Sequence, residues 1–164
     1  MKKILLLIAS FFTLIHISSC VGYKPIFSTT NFNFEIAKHT IDGDKKLGNQ
    51  IYSKLYGVSN LNKNNTASQS IEILINVSKN KVGTVKNSAG KILEYKINMS
   101  TNIIVNDFLE SKEMLNQYFE YSSSYKVQDQ HFETVKLENK AIDILVDKTY
   151  QDCLIKISEI IEAK

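Results

Sequence analysis

The stretch from Lys91 to Asn106 alternates far beyond the five or six residues of an ordinary strand, with Tyr95, Ile97, Met99, Ile103 and Val105 on one side and Lys96, Asn98, Ser100 and Asn102 on the other. Successive side chains of a strand point to opposite faces. The pattern therefore demands a sheet with one dry face and one wet face, and something to cover the dry one. A partner strand follows at once: Asp107 to Lys112 reads as a hairpin turn, and Met114 to Tyr125 carries Leu115, Phe119, Tyr121 and Tyr125 in phase. The pair is predicted to be antiparallel.

Two further strands and two helices complete the reading. Phe32, Phe34 and Ile36 alternate with Asn33, Glu35 and Ala37, and Ile71, Ile73, Ile75 and Val77 share one strand face with Leu74 opposite. Between them, Asp42-Gly43-Asp44 supplies a turn and a helix cap. Leu47, Ile51 and Leu55 then recur at four-residue spacing up to Gly57, read as a left-handed stop. Gly48 inside that helix costs about 1 kcal/mol relative to alanine. The segment from Asn60 to Ser68, rich in Asn and Ser, reads as a loop.

From Thr134 the period becomes helical. Ile142, Val146, Thr149, Cys153, Ile157 and Ile160 form a stripe widened by Leu145, Leu154 and Ile161. The predicted order is β-α-β-β-β-α, an α+β two-layer sandwich in which a four-stranded, largely antiparallel sheet is covered by two helices. The domain spans residues 31–164.

The N-terminus sets the compartment. Lys2 and Lys3 precede an apolar run from Ile4 to Ile17, and Ser18 and Ser19 lead to Cys20, the three-part form of an export signal. The run has 14 residues and is interrupted by Ser10, Thr13 and His16, whereas a membrane-spanning helix needs about 20 apolar residues. Residues 1–19 therefore read as a removable signal peptide and residues 20–30 as a lipidated start and short tether containing the only proline, Pro25. The tetrad Ile17-Ser18-Ser19-Cys20 resembles the bacterial lipobox, in which the cysteine receives a diacylglycerol before cleavage. That implies Cys20 as the mature N-terminus and covalent acyl lipid as the only prosthetic group. Val21, a residue other than Asp after the cysteine, implies the periplasmic face of the outer membrane. The chain has a formal charge of +3; losing Lys2 and Lys3 leaves +1, so composition offers no case for nucleic acid. All 20 basic residues are lysines, which denies any anion site the bidentate fork of arginine.

Motifs for catalysis are absent from the sequence: there is no Gly-x-Ser-x-Gly, no phosphate loop and no His-Glu-x-x-His. His39 and His131 stand alone in polar segments, and no metal site is predicted. Cys153, alone once Cys20 is acylated, falls on the apolar stripe of the last helix and reads as a buried, inert thiol. One surface feature suggests a ligand. Lys79, Lys81, Lys86 and Lys91, read as a connection leading to the turn Asn87-Ser88-Ala89-Gly90, could bind phosphate-bearing ligands; a plain solvated loop is the alternative. Tyr118 and Tyr125 read as exposed, either interface anchors or ordinary strand residues.

Three stretches, in order, resemble a known family. Cys20 with Gly22-Tyr23-Lys24-Pro25-Ile26-Phe27 is similar to the Cys-Gly-Phe-Arg-Pro-Leu-Tyr start of the lipopolysaccharide-assembly lipoproteins (LptE type). Glu94-Tyr95-Lys96-Ile97-Asn98-Met99-Ser100-Thr101 resembles their Arg-Tyr-x-Leu-x-Val-x-Ala strand. Ser124-Tyr125-Lys126-Val127 and Glu138-Asn139-Lys140-Ala141 resemble their Ser-Tyr-Asn segment and the Glu-Arg-Asp-Ala opening of the last helix. Val21 is an insertion relative to that pattern, and lysine or another residue stands where the family prefers arginine. The resemblance implies a non-enzymatic role in lipopolysaccharide export: a plug and assembly partner of an LptD-type outer-membrane β-barrel that can itself bind lipopolysaccharide. The alternatives are an accessory lipoprotein of another envelope lipid-trafficking transporter, and an envelope enzyme built from scattered residues.

Overall fold

The computed structural model describes residues 33–60 and 69–163. The expected signal peptide, Cys20 with its tether, and the loop expected after Asn60 lie outside them. In chain order the elements are β1 (Phe34–Gly43), α1 (Lys45–Asn60), β2 (Gln69–Lys86), β3 (Ile92–Asp107), β4 (Glu113–Lys126) and α2 (His131–Glu162). The strands lie side by side in the order β1-β2-β3-β4, the α+β arrangement that the alternation required. β2–β3 and β3–β4 are antiparallel hairpins. β1 and β2 are parallel, with α1 as the crossover, so the sheet is mixed and not antiparallel throughout.

The dry face is built by residues in phase across the sheet. Ile71, Ile73, Ile75 and Val77 of β2 and Ile97, Met99, Ile103 and Val105 of β3 are buried, as are Phe119 and Tyr125 of β4. Leu47, Ile51 and Leu55 of α1 and Ala141, Leu145, Val146, Cys153, Leu154 and Ile157 of α2 close over them. Thr101 joins this face in strict alternation and is fully buried. Ile142, Ile160 and Ile161, placed on the helical stripe by spacing, are only half-buried at its margins. α2 starts at His131, a turn before the expected Thr134, so Glu138-Asn139-Lys140-Ala141 lies beyond its first turns and does not open it.

The passage from β1 into α1 is tight. Gly43 sits at φ +72°, and a Cβ there would lie 2.1 Å from the carbonyl oxygen of Val77. That oxygen accepts from the Asp44 N–H at 2.7 Å, and Asp44 Oδ1 caps the helix by accepting from the Leu47 N–H at 3.1 Å. A glycine is required because left-handed backbone and close approach of β2 coincide. Gly48 has its own reason: a Cβ would lie 2.3 Å from Ile41 Cγ2, so its intrinsic cost to the helix is offset by letting α1 settle on β1.

Gly57 departs from the expected helix stop. The helix runs through it to Asn60, and Gly57 is not among the left-handed residues, so the chain needs no αL cap at that point. A Cβ at Gly57 meets nothing within 4 Å. Gly57→Ala should therefore raise stability by about 0.5–1 kcal/mol through helix propensity, read as a higher midpoint in urea; an unchanged or lower midpoint would contradict a continuous helix there.

Candidate functional site at the lysine-bearing hairpin end

Lys91 lies in the short connection before β3, but the other three lysines do not. β1 stops at Gly43, opposite Val77, but β2 continues beside β3 to the turn at Asn87–Gly90, with β4 still paired to β3 as far as Glu94 and Lys126, so Lys79, Lys81 and Lys86 are strand residues. Sequence alternation ended at Val77 because beyond β1 this face loses much of its apolar cover, and lysines replace isoleucines along the uncovered margin.

Lys79 and Lys81 keep the phase of Val77 and reach back toward the helices. Lys79 Nζ stands 3.9 Å from Asp44 Oδ2. Lys81 Nζ is 2.6 Å from Glu138 Oε2 of α2 and lies over the rings of Tyr95 and Tyr125, 4.4 and 5.5 Å from their centroids. Those rings stack at 5.8 Å, and the Tyr125 hydroxyl donates to Glu138 Oε2 at 2.7 Å. Tyr125 is thus a buried strut and not an exposed anchor; Tyr118 is exposed.

The electrostatics follow from that contact. Burial would raise the Glu138 carboxyl, but hydrogen bonds from Lys81 and Tyr125 outweigh it and hold the group below its ordinary value. Burial would likewise depress Lys81, and the Glu138 and Tyr125 contacts hold it above its ordinary value instead. Burial, with Glu138 as acceptor, pushes the Tyr125 phenol up. Lys81 is therefore a locked cation.

Lys86 and Lys91 differ. Both are exposed at the turn, and neither forms an ion pair among the described residues. Lys91 and Lys81 line a cleft of about 570 Å³ whose walls include Tyr95, Asp129, His131 and Glu138. Lys79 and Lys86 do not line it. The proposed set thus divides into two cations already neutralised and two open to an anion. Glu138 and Tyr95 were invisible as site residues in the sequence, since they meet Lys81 only through tertiary packing. His131 lines this cleft, whereas His39 stacks on Tyr52 with ring centroids 3.8 Å apart, a packing contact. Cys153 is fully buried, and burial pushes its thiol up to about 12. Among the described residues no His, Cys, Asp and Glu side chains cluster to hold a metal, and no helix is long and apolar enough to cross a membrane.

No protein-family model matches the sequence, and no curated protein matches it. The fold is nevertheless similar to solved structures. A protein of Nitrosomonas europaea described as lipoprotein B, determined in solution by NMR, superposes with a TM-score of 0.57 at 15% identity, covering 79% of this chain and 86% of that one. A Caulobacter crescentus protein described as a lipoprotein superposes with a TM-score of 0.55 at 10% identity, covering 76% and 89%. At such identities the likeness speaks for the fold alone.

Proposed function

We propose that this chain is an acylated lipoprotein of the outer membrane that takes part in lipopolysaccharide export without catalysing a reaction, as plug and assembly partner of an LptD-type β-barrel. The observation that carries the reading is the meeting of Tyr95, Tyr125 and Glu138. Tyr95 belongs to one of the stretches that resemble the lipopolysaccharide-assembly lipoproteins, and Tyr125 and Glu138, 13 residues apart, belong to another. The β3–β4 hairpin sets Tyr95 opposite Tyr125, where the rings stack, and Tyr125 donates to Glu138, a contact that local spacing did not predict. The same side chains thus act as one structural unit joining β3, β4 and α2. The lipobox ending at Cys20 and the fold shared with two proteins described as lipoproteins support the same reading.

Depletion of the protein should lower surface lipopolysaccharide and the yield of the barrel recovered by co-purification. Normal levels of both would remove the reading, and capture of inner-membrane transport proteins in place of a barrel would replace it with the accessory-lipoprotein alternative. Lipid A phosphates are the anions we assign to the open lysines. Lys86→Gln with Lys91→Gln should weaken binding to lipopolysaccharide vesicles more than Lys79→Gln with Lys81→Gln, because the second pair is already engaged by Asp44 and Glu138. Binding of the parent should fall as salt rises. Equal effects of the two double variants would contradict this division.

A further inference from the structure

β4 has one side with no strand along it. It pairs with β3, and no other strand of the described residues lies on its outer edge. An open edge is a template for another chain unless charge, proline, irregularity or shortness blunts it. The opposite edge, β1, is blunted: it carries Glu35, Lys38 and Asp42 and is irregular between Ile36 and Lys38. β4 has 14 residues and no proline, and between Met114 and Tyr125 its only charge is Glu120.

The helix above β4 is unfinished on the same flank. α2 sets Lys148 Nζ 4.4 Å from the centre of the Tyr121 ring, and Asp152 accepts from the Tyr121 hydroxyl. Ile155 lies on this flank, in a groove of about 390 Å³ shared with Phe119 and Tyr121. Ile144 stands one helical turn before Lys148. Ile144 is 51% and Ile155 36% exposed.

We propose that β4 pairs with β4 of a second copy of this chain, antiparallel, about a two-fold axis through Ser123, joining two sheets into one. A two-fold axis normal to the sheet keeps each face on its own side, so only registers centred on a residue are possible. Centring on Ser123 sets Glu120 opposite Lys126 twice, Ser122 opposite Ser124 twice, and Tyr121 opposite Tyr125 twice. Opposite charges and aromatic pairs directly across antiparallel strands are favourable. Centring on Glu120 would face that carboxylate with its own copy, and centring on Phe119 would face Lys126 with Lys112. Charge complementarity thus selects one register, in which the flanks bearing Ile144 approach each other across the axis. This inference concerns the free chain and does not depend on the lipopolysaccharide reading.

The test uses the full chain purified in detergent. Sedimentation should show a dimer; Glu120→Lys or Lys126→Glu alone should weaken it about tenfold, since two pairs turn repulsive, and the two together should restore it. Both side chains are exposed, so circular dichroism should report an unchanged fold. Ser123→Cys should form a disulfide-linked dimer on mild oxidation, since the axis brings the two copies of this residue together. A parent that stays monomeric at every concentration, single charge reversals without effect, or capture of a different protein by Ser123→Cys would overturn the proposal.

Discussion

Replacing Cys20 by alanine should, on the proposed reading, leave the chain without acyl lipid and with its first 19 residues retained. The physical reason is the weakness of the other candidate hold on a bilayer. The apolar run Ile4–Ile17 is about six residues short of the hydrocarbon thickness, and no described helix can span it. Each buried methylene of an acyl chain contributes about 0.8 kcal/mol, one chain holds only marginally, and two or more hold stably. On the proposed reading, the Cys20 thiol therefore carries the attachment. Intact mass and palmitate labelling of the parent and the variant check this. A Cys20→Ala chain that still matures and fractionates with the outer membrane would defeat both the lipobox assignment and the function resting on it.

The largest loss of fold stability is expected at Gly43. A valine there must adopt φ +72°, a left-handed backbone that branched side chains avoid, while its Cβ falls 2.1 Å from the Val77 carbonyl oxygen. Relief requires breaking the contact by which Asp44 donates to that oxygen, and with it the start of α1. Gly43→Val should cost about 3 kcal/mol or more, a fall in Tm of roughly 10 °C, with Gly43→Ala intermediate. Thermal melts followed by circular dichroism would show this. A melting point within experimental error of the parent would mean that the turn between β1 and α1 is not the constrained element described above.

The architecture was legible because burial imposes a strict period. Tyr95 to Val105 alternates without a break, and the sheet obeys it even at Thr101, a polar residue on the apolar side. Asp44 was legible as a cap because its chemistry is local. Gly57 was misread because the same residue serves as a stop only when the backbone turns left-handed, which depends on whether α1 continues. Lys79, Lys81 and Lys86 were misplaced for a related reason: alternation marks a strand only where one face is buried, and β2 past the end of β1 exposes that face while Ile97 and Met99 of β3 keep it. The site itself was half visible. The cations could be read directly, but their partners Asp44 and Glu138 come from other elements, and no local spacing distinguishes Lys81, held by a carboxylate, from Lys91, held by none among the described residues.

Cys153 has a use that follows from its position. With 0% exposure and a thiol pushed up to about 12, it is closed to alkylating reagents once α2 has packed on the sheet. With Cys20 acylated as proposed, a chain that reacts with maleimide is one whose last helix has not yet docked. Timed labelling in intact cells would thus clock the folding of newly made chains without adding a reporter.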